Sequence, residues 1–532
     1  MYMKYQNNIL FLFTFLLSIT IFGQENYTLS GTVYDQSSNE TLIGVSVYFP
    51  NLKSGTSTNE YGFYSITIPA GKHEVYISYL GYKTITETID LTKKNTKNFY
   101  LFEDAENLDE IIIESNIEKT NIKTAQMSVN KLSTKTIKQI PVVLGEADII
   151  KSIILLPGVT SAGEGASGFN VRGGSADQNL ILLDEAIVFN SSHVFGFFSV
   201  FNPDVIKDVQ LYKGGIPARY GGRLSSVLDI YQKEGNNKVF KLTGGVGLVS
   251  SRLLAEGPLK KGRSSFLVGG RASYAHLFLP LVDNDNKAYF YDLNSKINYR
   301  FNRNNNLFFS TYFGKDLFGI NESFVNTYGN TVANLRWNHL FSDKLFSNLS
   351  LIYSDYFYGL TLDFVGFEWD SGITNYNIKY DFDYFIKDNF KLSFGVNDIY
   401  TQFNPGKIIP NREDSGILPE KLTNKYANEF AAYIEANHKI NSNFTFKYGL
   451  RYSNFKRLGQ DELNTYTNDT PVLYNQELQK YESAVASGVV NYKRSDVLAN
   501  FGNFEPRVSF SYLLNDDSAV KASYNRMAQY LH

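Results

Sequence analysis

The 532-residue chain carries 51 Lys and Arg against 53 Asp and Glu, a formal charge of −2, and has no cysteine. Interspersed, nearly balanced charge offers no basic field to a nucleic-acid backbone, so no nucleic-acid partner is expected, and a cysteine-free chain excludes disulfides, thiolate metal centres and cysteine nucleophiles. Its 41 Phe, 38 Tyr and 40 Gly favour pleated strands and tight turns, so the first expectation is a mainly β protein.

At the N-terminus Lys4 precedes an apolar stretch over residues 9–22, and the small Gly23 stands before Gln24. This pattern predicts a signal peptide over 1–23, because the apolar stretch is shorter than the roughly 20 residues a membrane helix needs. Later apolar runs are shorter still; residues 149–159 are broken by Lys151, Ser152 and Pro157. A place in a membrane would therefore require a barrel.

Residues 25–103 form the first expected domain. Val75, Ile77 and Tyr79 alternate with Glu74, Tyr76 and Ser78, and about seven such runs fit a small β-sandwich. The segments Ser30-Gly-Thr-Val-Tyr-Asp, Gly44-Val-Ser-Val, Gly55-Thr-Ser-Thr-Asn-Glu-Tyr-Gly-Phe-Tyr-Ser-Ile and Gly81-Tyr82 resemble the carboxypeptidase regulatory-like domain. The resemblance implies a non-catalytic accessory or docking module. His73, the one histidine here, has no second ligand at usable spacing.

Residues 104–118 form an acidic linker around Asp109, Glu110, Ile111, Ile112, Ile113, Glu114 and Ser115. Three isoleucines between charges make a strand without a hairpin partner, which either adds to another protein's sheet edge or merely joins two domains. The run is similar to the TonB box of Bacteroidetes-type receptors, and its place just before the next domain favours the first reading.

Residues 119–233 mix short strands with one expected helix over 145–156, where Glu146 and Asp148 favour the first turn and Pro157 stops the last. The signature runs are Phe169-Asn-Val-Arg-Gly-Gly, with Arg172 and Gly173; Asn179-Leu-Ile-Leu-Leu-Asp, ending at Asp184; and a late segment with Arg219, Tyr220, Gly221, Gly222 and Arg223. In order and spacing they resemble the plug domain of TonB-dependent receptors. Glu185 departs from the glycine that commonly follows the aspartate, and Gly215 stands where proline is frequent. The Gly163-Glu-Gly-Ala-Ser-Gly run matches a dinucleotide fingerprint by letter but leads into a strand and puts Glu164 where an anion would sit, so it is read as a loop.

From 236 to 532 alternation recurs: Phe444, Phe446, Tyr448, Leu450 and Tyr452 oppose Thr445, Lys447, Gly449, Arg451 and Ser453, and Tyr376, Ile378, Tyr380, Phe382 and Tyr384 oppose Asn377, Lys379, Asp381 and Asp383. One apolar and one polar face suit a strand between lipid and a wet lumen. Tight polar turns near 302–306, 341–344, 387–389, 441–443 and 515–518 alternate with expected long links near 355–371, 401–427 and 454–503, which predicts an antiparallel transmembrane barrel with its long loops outside the cell. About twelve strands are expected where a plug-bearing barrel has about 22, and the last strand, over 520–530, lacks a terminal aromatic, so the barrel is expected to be incomplete.

The resemblance implies a receptor in the outer membrane of a Gram-negative bacterium. Its expected partners are outer-membrane lipid, TonB with its inner-membrane energising complex, and an extracellular substrate such as a chelate, peptide or glycan. A binding or adhesion receptor without transport is the alternative. Histidines at 73, 193, 276, 339, 438 and 532 are scattered and no serine elbow or paired-histidine helix is present, so no catalytic residue, metal or cofactor is expected. Arg172, Arg219, Tyr220 and Arg223 are assigned to plug structure and plug-to-wall contacts.

Overall fold

A computed structural model describes residues 25–104, 126–140, 146–163, 168–274, 276–278, 286–321, 323–515 and 518–531. The expected signal peptide at 1–23 and docking strand at 109–115 lie outside the described residues, as do 164–167 of the glycine-rich loop.

The first domain is a sandwich of two four-stranded sheets. Asn26–Asp35 pairs with Phe63–Pro69 in one sheet, and Ser46–Phe49 with Gly71–Ser78 in the other. Alternate residues point inward, and Leu29, Val33, Val47, Ile66, Val75, Ile77 and Phe99 form the core between the layers.

The plug is a five-stranded sheet in the order Ala186–Ile187, Asn179–Leu183, Ser226–Gln232, Ile206–Tyr212, Val129–Ser133. Asn179–Leu183 runs parallel to Ser226–Gln232, and the other pairings are antiparallel. Among the described residues two short helices pack beside the sheet. The expected helix over 145–156 is confined to Ile149–Ile154, because Asp148 is its N-cap and accepts from the Lys151 amide at 2.9 Å, while Glu146 lies outside and turns to the wall. A second helix, Thr134–Gln139, was not anticipated; Ser133 caps it by accepting from the Thr136 amide. Ile137, Ile149, Ile153, Val209, Leu211, Leu228 and Ile230 form the plug core, which continues into Tyr312, Val332 and Ile352 of the wall.

The wall is a 14-stranded antiparallel sheet among the described residues, where about twelve strands were expected. Its path runs from Lys241–Val246 to Ser518–Asn525, with the two-residue Glu420–Lys421 paired off the path, and these two end strands are not paired with each other. Inward residues such as Asn334, Ser350, Ser354, Asn377 and Asp383 are buried around the plug; outward Leu335, Trp337, Leu351, Tyr376 and Ile378 are exposed, as a lipid-facing surface requires. Tyr353, Tyr376, Tyr400 and Tyr426 line up as successive ring contacts at one edge of the apolar band, and Phe341, Phe382 and Phe394 at the other. Tyr376 and Tyr384 are eight positions apart, about 20 Å across a bilayer at a strand tilt of about 40°. Among the described residues no helix is long and apolar enough to cross a membrane.

Three connections differ from expectation. Residues 355–371 are not a loop: Leu345–Leu362 and Phe367–Lys387 stay paired up to Leu362 and Phe367. The outward side chains Asp355, Asp370 and Thr374 lie beyond the aromatic edge, where lipid no longer demands an apolar face, so alternation fades while the ladder continues. The link expected over 401–427 is similarly shortened by Phe390–Pro410 and Lys425–Lys439. The long link is 459–496, which builds two small hairpins of its own. The last strand ends at Asn525 rather than near 530; Tyr530 turns back, its hydroxyl 2.8 Å from Ser453 Oγ and its ring stacked on Phe455.

Candidate functional site

The polar contacts holding the plug in the lumen begin at a two-residue turn. Leu183 pairs with Ala186, and the intervening Asp184 and Glu185 have φ of +46° and +73°. A tight hairpin turn asks for positive φ at both positions, which Asp tolerates and Gly prefers. Glu at the second position costs about 1–2 kcal/mol and persists only where its surroundings fix it.

Those surroundings are charged and buried. Asp184 accepts from the Gln232 amide at 3.0 Å, pairs with Lys296 of the wall at 2.8 Å, and its carbonyl accepts from Asn334 at 2.6 Å. The Glu185 carboxylate accepts from Asn348 and Ser350 at 3.1 Å, from Lys379 at 3.3 Å, and from the Tyr61 hydroxyl of the sandwich at 3.0 Å. Burial pushes the Glu185 carboxyl upward, but Lys379 and Arg336 outweigh it and hold it below the ordinary carboxylate range.

The second group of contacts follows the Tyr-Gly-Gly segment. Arg219 pairs with Glu60 of the sandwich at 3.0 Å and Asp383 of the wall at 3.5 Å. The Tyr220 hydroxyl donates to Asp229 at 2.6 Å and that of Tyr231 at 2.8 Å, and burial raises Asp229 to about 6 despite both donors. Arg451 of the wall donates to the carbonyls of Ala218 and Arg219 at 3.4 and 3.2 Å. A Cβ on Gly221 would lie 2.4 Å from Arg451 Nε, so glycine is needed for this approach. Gly222 has φ +80° and sits against Glu429, which Arg223 also faces while donating to the Gly222 carbonyl at 2.8 Å. Arg172 stays within the plug: it has φ +50°, is followed by Gly173 at +82°, and donates to Ser128 Oγ at 2.7 Å.

A third group surrounds His193, one of the scattered histidines, for which a structural or loop role is expected in preference to metal binding but whose partners the sequence does not show. His193 lies between two wall carboxylates, Nδ1 at 2.6 Å from Asp316 and Nε2 at 3.2 Å from Asp292, with its ring stacked on Phe290. Arg271 pairs with Asp292 at 2.6 Å and with Glu146 of the plug, and donates to the Ser199 carbonyl at 2.8 Å. Burial lowers the imidazole pKa, but the two carboxylates more than compensate and raise it, favouring the protonated ring. Nothing local signals this cluster, since its partners lie 99 and 123 residues from His193. Val194 and Phe195 next to it have φ of +48° and +52°, strain that the Val194 amide offsets by donating to Asp316 at 2.8 Å.

These groups position the plug against the wall; none forms a nucleophile and base, and among the described residues no group of three or more His, Cys, Asp or Glu is placed to hold a metal ion. The lower face of the assembly holds the sandwich, and the upper end opens toward the hairpins of 459–496, where Leu473, Tyr481 and Val485 are exposed.

Three family models match the chain: the CarboxypepD_reg-like domain over residues 29–113, the TonB-dependent Receptor Plug Domain over 121–226, and the Outer membrane beta barrel domain over 411–530. Among solved structures, the copper transporter OprC superposes with a TM-score of 0.56 at 12% identity, covering 76% of this chain and 66% of OprC. The siderophore receptor PirA from Acinetobacter baumannii gives 0.51 at 14% identity, covering 74% and 69%. The alcaligin outer-membrane receptor FauA from Bordetella pertussis gives 0.54 at 14% identity, covering 77% and 64%. The chain thus spans about two thirds of the length of these structures. No curated protein matches it.

Proposed function

Since this outer-membrane chain carries the plug and wall of a TonB-dependent receptor, we propose that it takes up a substrate across the outer membrane by coupling to TonB and its inner-membrane energising complex. The observation that carries this reading is the nature of the plug's grip. Its contacts with the wall include many charged and hydrogen-bonded ones, as at Asp184–Lys296, Glu185–Lys379 and Arg219–Asp383. Such contacts exchange for water or for one another at modest cost, so a pulled plug rearranges while the wall, held by its ladder, stays.

TonB would pair with Asp109, Glu110, Ile111, Ile112, Ile113, Glu114 and Ser115 as an added strand, with main-chain hydrogen bonds transmitting the pull. The substrate would meet the plug's upper loops and the 459–496 hairpins. Chelates, peptides and glycans all suit such a surface, and metal chelates come first because copper and siderophores appear in the names of similar structures.

The test is binding of the purified full chain to the periplasmic domain of the source bacterium's TonB. Binding that falls at least tenfold with Ile112→Pro is expected, since proline removes a ladder donor. No binding by the unaltered chain would overturn coupled uptake. That outcome would favour the alternative of a surface receptor that binds without transport, for which the exposed Leu473, Tyr481 and Val485 supply an adhesive tip.

A further inference from the structure

The sandwich is not tethered loosely below the barrel; it is seated in the barrel's mouth. The loop over 58–62, between strands Ser54–Ser57 and Phe63–Pro69, enters the lumen from the side of the short turns. Tyr61 stacks on Phe346 with ring centroids 5.2 Å apart, Phe63 meets Phe385 edge-on at 5.8 Å, and Asn59 donates to Asp383 at 3.2 Å. Tyr61 is 8% exposed and Asn59 5%, far less than a loop tip on a free domain would be.

Around this loop the sandwich meets the mouth at several separate points. Thr41 donates to Glu234 at 2.6 Å, the Asn237 amide donates to the Ser38 carbonyl at 3.1 Å, Ser54 donates to Asp388 at 3.3 Å, and Lys439 donates to the Lys53 carbonyl at 3.3 Å. The wall contacts include the turns near 388 and 440, so the domain straddles the opening.

We propose that the sandwich is a second stopper, a gate on the periplasmic mouth that must leave before the plug can open a path, and that Tyr61–Glu185 and Glu60–Arg219 link the two movements. This rests on the uptake reading above. Glu185 is the strongest support. A glutamate in a strained positive-φ turn is disfavoured there on backbone grounds, yet its carboxylate reaches the sandwich, the wall and, through the shared Lys379 and Asp381 pair, the neighbourhood of Arg219. The plug thus presents to the sandwich the two residues, Glu185 and Arg219, that also anchor it to the wall. With the gate seated, cargo below the plug faces a closed opening; with it undocked, both plug anchors lose a partner at once.

Ser393 provides a probe, since it is buried in the lumen and donates to the same Asp383 that Asn59 and Arg219 hold. The chain has no cysteine, so Ser393→Cys is a unique label site. The experiment exposes cells with a permeabilised outer membrane and an energised inner membrane to a maleimide on a bulky polyethylene glycol chain. Labelling at least tenfold faster with TonB than without it is expected. Tyr61→Phe and Glu185→Gly, each in the Ser393→Cys background, should label quickly even without TonB. Equal labelling with and without TonB in the parent, or no acceleration in either variant, would overturn the gate. The second arm does not use TonB, so its failure is distinct from a failure of the uptake reading, which the binding measurement reports.

Discussion

The Tyr61 hydroxyl and the Glu185 carboxylate meet across 3.0 Å between two domains, and the contact joins the sandwich's buried loop to a strained turn of the plug. Tyr61→Phe keeps the ring on Phe346 and removes only the donor. A hydrogen bond to a charged group contributes about 1.5–3 kcal/mol, so the docked sandwich should be weakened by that order. Thermal unfolding followed separately for sandwich and wall should show the sandwich melting earlier.

Glu185→Gly sets two effects against each other. Relief of positive-φ strain returns about 1–2 kcal/mol, whereas stripping Lys379 of one buried partner and leaving the Ser350 and Tyr61 hydroxyls without their carboxylate acceptor costs about 3–5 kcal/mol. A net loss is therefore expected. A plug that melted later than the parent's would show that strain dominates.

Asp229 supplies a pH test whose sign follows from its raised value of about 6. The folded state holds the proton more tightly than the unfolded chain, so this stabilisation is complete below the ordinary carboxylate value near 4 and is lost as pH rises through about 6. Relative to Asp229→Asn, the parent should gain about 2–3 kcal/mol between pH 7 and pH 4. Parallel pH profiles of the two proteins would contradict it.

His193 has the same sign in a higher pH window. Its raised pKa means that stabilisation is present below about 6.5 and lost as pH climbs through the folded value. The groups facing it are Asp316, Asp292 and the Tyr312 hydroxyl, with Arg271 and Glu146 behind Asp292. Neutral His193 leaves three carboxylates to one guanidinium. Protease cleavage near 190–197 should accelerate on raising pH in the parent and be fast and pH-independent in His193→Ala.

Gly221→Ala should displace Arg451 from the Ala218 and Arg219 carbonyls, since the added methyl would sit 2.4 Å from Nε. A cost of about 1–3 kcal/mol is expected from such overpacking, read as an earlier plug transition with an unchanged wall.

The wall's alternation was legible because one face meets lipid: Tyr376 and Ile378 could be assigned outward from spacing alone. Where Asp355 and Asp370 rise past the aromatic edge that constraint ends, and a paired ladder was misread as a loop. Gly173 and Gly222 were picked out through the family resemblance, and the structure gives them φ of +82° and +80°, a backbone requirement that the spacing did not show. Helix Thr134–Gln139 was missed because six residues leave no periodicity to count. The role of Glu185 was beyond reach: the sequence showed an unusual residue after Asp184, but its partners stand 124 to 194 residues away.

The strands Leu345–Leu362 and Phe367–Lys387 also have a bearing on reach. From Tyr376 to Phe367 is nine positions, which lifts the rim about 20 Å above the upper aromatic edge. The receptor therefore stands as a chimney above the lipid surface. On the uptake reading a bulky cargo would meet this rim before the bilayer, and an antibody raised against the 363–366 turn should find intact cells as readily as it finds the purified protein.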